Sequence, residues 1–100
     1  MTLAEFKRSL SKRTPPPALS PALAALWWAG KDKWEAAHTL VMDASGQDFA
    51  RVHAYLHRLE KDEENARYWY QRAGTSVATG SLKAEWLAIA REFLAKARQS

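Results

Sequence analysis

The segment HAYLHR at residues 53–58 carries the sharpest chemical signal in this chain. His53 and His57 stand four apart, a spacing that projects both imidazoles from one side of a helix. Two such rings can grip one metal ion, and Glu60, one turn beyond His57, falls on nearly the same line. His38, four residues after Trp34, borders the apolar face of its own helix, so a third or fourth ligand can come from His38 or Asp43. A neutral-imidazole set of this kind suits zinc, nickel or copper. The plainer reading is that imidazoles at a helix interface hydrogen-bond carbonyls or carboxylates, and the pair lacks the glutamate of the zincin pattern. Histidine is also the usual proton shuttle, but no companion nucleophile is evident. The serines lie mostly in the N-terminal segment and loops, and the chain has neither a GxSxG elbow nor a glycine-rich phosphate cradle. The set His38, His53, His57 and Glu60 is therefore the alternative expectation, a small metal-binding or hydrolytic protein holding zinc or another divalent transition metal, with no catalytic residue assigned.

The elements that position these residues read as helix throughout. No alternating strand pattern and no two-residue hairpin signal occurs. Ser20 before Pro21 predicts a helix start, with Leu19, Ala22, Leu23 and Leu26 on one face and an end near Gly30. Asp32 with Glu35 predicts a restart whose apolar face is Trp34, Ala37, Leu40, Val41 and Ala44, broken at Ser45 and Gly46. A third body helix spans about Gln47 to Glu60, with Phe49, Val52, Leu56 and Leu59 spaced for burial. A fourth starts in Asp62, Glu63 and Glu64, carries Ala66, Trp69, Tyr70 and Ala73 on one face and ends at Gly74. After a loop over residues 74–81, Ser81 caps a fifth, with Leu82, Trp86, Ile89, Ala90, Phe93 and Ala97 inward. Ahead of the body, Thr2 and Glu5 form a capping-box pattern for a short amphipathic helix to about Lys12, which Pro15, Pro16 and Pro17 stop.

Composition bounds these choices. A chain of 100 residues with 47% apolar and 26% charged residues suits one small folded domain, neither a disordered tail nor a membrane protein. The absence of cysteine excludes a disulfide framework, a thiolate metal site and cysteine catalysis together. The longest apolar stretch, Ala22 to Ala29, is too short to span a bilayer, and the first residues carry no long apolar run, so no signal peptide and a reducing cytoplasm are expected. The net charge of +4 is unevenly spread. Residues 1–21 hold Lys7, Arg8, Lys12 and Arg13 against Glu5 alone, while the rest hold eleven Lys and Arg against ten Asp and Glu. The expected organisation is a basic N-terminal arm with a Pro-rich spacer at 1–20 and a compact helical-repeat domain at 21–100. The arm is expected to fold back onto the body or fray, with binding to an anionic polymer or membrane as the alternative.

Shifted by thirty residues, the body matches itself: Leu19 meets Phe49, Ala22 meets Val52, Leu26 meets Leu56, Asp32 meets Asp62 and Ala36 meets Ala66. Each half is then one helical hairpin. Residues 62–74, DEENARYWYQRAG, resemble the second helix of Sel1-like repeats through Asp62, Ala66, Trp69, Tyr70, Arg72, Ala73 and Gly74. The first hairpin is similar to tetratricopeptide-type (TPR) repeats through Gly30, Asp32 and Ala36, and the chain also resembles short bacterial proteins with a Trp-x-x-Ala-His followed by a His-Ala-Tyr-Leu-His-Arg segment. The resemblance implies an all-α, TPR/Sel1-like pair of helical hairpins with a C-terminal capping helix and a short N-terminal helical arm. Such repeats are binding scaffolds by analogy of fold.

Five tryptophans exceed what this core requires. Trp34, Trp69 and Trp86 sit on apolar stripes and are expected to fill it, whereas adjacent Trp27 and Trp28 cannot be buried alike. Trp28 and Tyr68 fall off their stripes, and Trp, Tyr and Arg are the residues most enriched in binding hot spots. The leading expectation is a small protein-protein interaction module, an adaptor or scaffold, that holds a protein or peptide segment with Trp28, Tyr55, Arg58, Tyr68 and Arg72. The nearly neutral body argues against nucleic acid.

Overall fold

In a computed structural model of the protein, which describes residues 1–99, the chain forms α1 (Leu3–Ser9), α2 (Pro21–Gly30), α3 (Trp34–Val41), α4 (Gln47–Leu59), α5 (Glu63–Ala73) and α6 (Leu82–Gln99), with no strand among the described residues. None of these helices is long and apolar enough to cross a membrane. Local caps set most of the boundaries. Thr2 Oγ1 accepts from the Glu5 N–H at 3.1 Å while the Thr2 N–H donates to Glu5 Oε1 at 2.8 Å, a complete capping box. Ser20 Oγ accepts from the Leu23 N–H ahead of α2, and Ser81 Oγ from the Ala84 N–H ahead of α6. Gly74 ends α5 in the left-handed conformation, at φ 73°.

The turn between α2 and α3 departs from the expected one. Asp32 does not cap α3; it takes φ 60° and reverses the chain, and Lys33 precedes α3 with no side-chain cap. Gly30 is the last residue of α2, two residues before the reversal. A Cβ there would come within 2.8 Å of the Trp86 ring, so the glycine serves to admit the indole. Asp32, whose short polar side chain tolerates the left-handed region, makes the reversal instead. Lys61, at φ 63°, plays the same part after α4. The Lys33 N–H donates to the Trp28 carbonyl and the Asp62 N–H to the His57 carbonyl, so both turns close alike, one residue short of the offset of thirty. The α2–α3 and α4–α5 pairs each pack as a helical hairpin.

Helix α4 lies at the centre, against α2, α3, α5 and α6. Six successive residues, Val52 to His57, are buried, which only a helix covered on several sides permits. The basic arm joins the same core. Phe6 is fully buried and stacks on Trp86 with ring centroids 5.5 Å apart, and Trp27, also fully buried, donates its indole N–H to Ser9 Oγ at 2.9 Å. A buried tryptophan needs such an acceptor, and α1 supplies it. Lys31 Nζ holds the chain beyond α1 by donating to the Leu10 and Lys12 carbonyls at 2.6 and 2.8 Å. Helix α1 ends at Ser9, and residues 10–14 follow in turns and bends where helix was expected as far as Lys12.

Phe6→Ala is expected to cost about 3–5 kcal/mol of stability. Chemical denaturation at fixed pH measures this; a change below about 0.5 kcal/mol would mean that α1 is detached from the core.

Candidate metal centre

Three imidazoles converge where α3 crosses α4. His53 and His57, one turn apart on α4, stack with centroids 4.8 Å apart and 19° between their planes. His38 reaches them from α3, nearly edge-on, with centroids 4.8 Å from His53 and 5.8 Å from His57. One ligand nitrogen from each of the three lies within 4.8 Å of the others, and the Nε2 atoms of His38 and His53 are 3.1 Å apart. Zinc-nitrogen bonds of about 2.0–2.1 Å place two tetrahedral ligands about 3.3 Å apart, so this pair already stands near the edge of a coordination tetrahedron.

Two tryptophans hold the rings. Trp34 stacks on His38, one turn further along α3, with centroids 4.6 Å apart and 13° between planes, and fixes itself by donating its indole N–H to the Leu56 carbonyl at 2.8 Å. Trp69 of α5 stacks on His53 at 3.9 Å and 14°. Both tryptophans are half-buried lids over histidines, whereas Trp86 and Trp27 fill the core. The Trp34–His38 pair has a sequence signal, the i to i+4 spacing. The Trp69–His53 pair has none, because it depends on how α5 lies on α4.

The protons in the cluster can be accounted for. At 3.1 Å only one of the two facing Nε2 atoms can carry hydrogen, so His38 and His53 cannot both be cationic. His57 Nδ1 is hydrogen-bonded to Glu60 Oε1 at 2.7 Å, which leaves Nε2 as its free nitrogen. His53 is only 4% exposed, and its Nδ1 is buried with no partner among the described residues. Burial, reinforced by the neighbouring His57 and His38, pushes the His53 imidazole down to about 4. Burial also lowers His38, with His57 adding to the effect and Glu60 opposing it. Both rings are therefore neutral at pH 7, the state that a metal ion requires of its imidazole ligands.

Of the expected ligands, His38, His53 and His57 come together. Glu60 occupies the outer nitrogen of His57, the arrangement in which a carboxylate orients a liganding histidine, and groups with His57 and Asp62. Asp43 is exposed beyond the end of α3 and belongs to neither group. The five aromatic and arginine residues expected to contact a partner are dispersed. Trp28 is half-buried on α2, edge-on to Trp27. Tyr55 is 5% exposed and lies in the core. Arg58 is held by Glu85 at 2.9 Å and by the Gly80 carbonyl, and Tyr70 donates its hydroxyl to the same Glu85, a buried network that the sequence did not announce. Only Tyr68 and Arg72 share an exposed patch: the guanidinium lies over the Tyr68 and Trp69 rings at 5.6 and 5.5 Å.

Because the His53 pKa is depressed relative to the unfolded chain, its contribution to stability is complete above the unfolded value of 6.5 and is lost as pH falls towards about 4. Metal-free protein is expected to lose about 3 kcal/mol over this window through His53, measured by urea denaturation. His53→Phe, which keeps the ring stack but cannot titrate, should flatten that loss; equal slopes in the two proteins would contradict the assignment. Comparison with protein-family models, with curated proteins and with solved structures finds no match for this chain.

Proposed function

We propose that this protein is a small helical metal-binding protein whose ligands are the Nε2 nitrogens of His38, His53 and His57. The observation that carries this reading is the convergence of three imidazoles from two helices, with one ligand nitrogen of each within 4.8 Å of the others. Imidazole donors suit zinc, nickel or copper. Three protein ligands leave a position for water or a small ligand, as in metal sites that do chemistry. Glu60 and the Trp34 and Trp69 stacks would fix the rings before the metal arrives, which lowers the ordering cost of binding.

A second reading draws on the exposed pair Tyr68 and Arg72, of which Tyr68 is 50% exposed. Together with a TPR/Sel1-like assignment of the two hairpins, it makes the protein an adaptor that holds a protein segment on α5. Trp28, Tyr55 and Arg58 lie away from that patch or are engaged in the core, so this reading rests on two residues of the five. A cytoplasmic setting suits both readings of this cysteine-free chain.

Zinc, nickel and copper titrations followed by thermal melting test the metal reading. At a free metal concentration of 100 times Kd the stabilisation is about 2.7 kcal/mol, which for a chain of this size raises Tm by on the order of 10 °C. His38→Ala, at a half-buried position, should remove most of that rise while the metal-free protein still melts cooperatively. No rise with any of the three ions in the native chain, or an undiminished rise in the variant, would overturn it.

A further inference from the structure

On the side of α4 opposite its histidines, Tyr55 and Leu59 face a cavity of about 380 Å³ shared with α1, α2 and α6. This lies at the small end of the range for small-molecule sites, about 300–1,000 Å³. Its walls are apolar: the half-buried leucines Leu10, Leu59 and Leu87, the Trp86 indole, and the backbone of Gly30, against which the indole packs. Three charged groups interrupt these walls, with net positive charge. Lys7 and Lys83 line the cavity from α1 and α6, both are exposed, and neither belongs to an ion pair among the described residues. Asp32 is the single acidic residue on the wall. Tyr55 adds a hydroxyl that has no hydrogen-bond partner among the described residues, and its burial, with Glu85 adding to the effect, pushes it up to about 12, so it stays a neutral donor at pH 7.

We propose that this cavity binds a small aliphatic monocarboxylate, its chain lying along Leu10, Leu59, Leu87 and Trp86 and its head between Lys7, Lys83 and the Tyr55 hydroxyl. The apolar walls select against a fully hydrated anion such as sulfate, and two unpaired ammonium groups against one carboxylate select against a cation. An aliphatic chain with one carboxylate satisfies both demands, since the lysines supply charge-assisted hydrogen bonds at the mouth while the chain is removed from water. The site uses none of the three histidines, so it stands whether or not the metal reading does.

Titration of the full chain with sodium octanoate and, separately, with 1-octanol, followed by amide and indole NMR shifts, tests this. Octanoate is expected to shift the Gly30 amide and the Trp86 indole N–H, which donates to the Leu26 carbonyl beside the cavity, and to bind at least tenfold more tightly than octanol. The double variant Lys7→Gln with Lys83→Gln, both on the surface, should keep Tm and lose at least fivefold in octanoate affinity. The proposal is overturned if octanoate produces no saturable shift, if the shifts map away from Gly30 and Trp86, if octanol binds equally well, or if the double variant binds octanoate as the native chain does.

Discussion

Helix α4 has no free face, and most of this molecule follows from that. Val52 to His57 are all buried, with α2, α3, α5 and α6 laid around them. Yet the helix is not apolar: it brings Arg51, His53, Tyr55, His57 and Arg58 into the middle of the protein. A buried polar group without a partner costs about 1–3 kcal/mol, so each surrounding element must offer one. Helix α3 brings His38 against His53, the turn after α4 brings Glu60 to His57, and α6 brings Glu85 to Arg58 and Glu92 to Arg51. Among the described residues His53 Nδ1 is buried with no partner, and the Tyr55 hydroxyl on the opposite side has none either. Three imidazoles from two helices, each with a ligand nitrogen within 4.8 Å of the others, are the strongest physical argument that the cluster exists for more than packing.

The period of α4 then separates two chemistries. His53 and His57 point towards α3 and α5, while Tyr55 and Leu59, about half a turn round the helix, line the cavity beneath α1 and α6. The basic arm belongs to the second side. Through Phe6 on Trp86 and Ser9 under Trp27, α1 closes part of the core and brings Lys7 to the cavity mouth. The basic arm is thus held by the Phe6 ring, the Trp27 indole hydrogen bond to Ser9 and the two hydrogen bonds from Lys31 Nζ.

What the sequence made legible was local. Thr2, Ser20, Ser81 and Gly74 act on residues within a turn of themselves, so their caps could be read directly. Where a tertiary contact competed, the local pattern misled: Gly30 looks like a helix stop, but it is the last residue of α2, set against the Trp86 ring, and the chain reverses at Asp32. The pairing of His53 with His57 follows from spacing alone, whereas the approach of His38 depends on how α3 crosses α4. Tyr55 and Arg58 look available for a partner because a stripe of apolar residues marks only one buried face; α4 has several. Trp34 and Trp69 fall on those stripes, yet they cover histidines instead of filling the core, a distinction set by the ring planes of their neighbours and invisible to periodicity.

X-ray absorption at the zinc edge of the stoichiometrically loaded full-length protein is the most direct measurement of the central claim. The account predicts three nitrogen scatterers at about 2.0–2.1 Å, with the outer-shell signature of three imidazole rings and one further light-atom ligand. A shell of oxygen alone, or of fewer than three imidazoles, would contradict it and leave the histidine cluster as a packed, hydrogen-bonded interior.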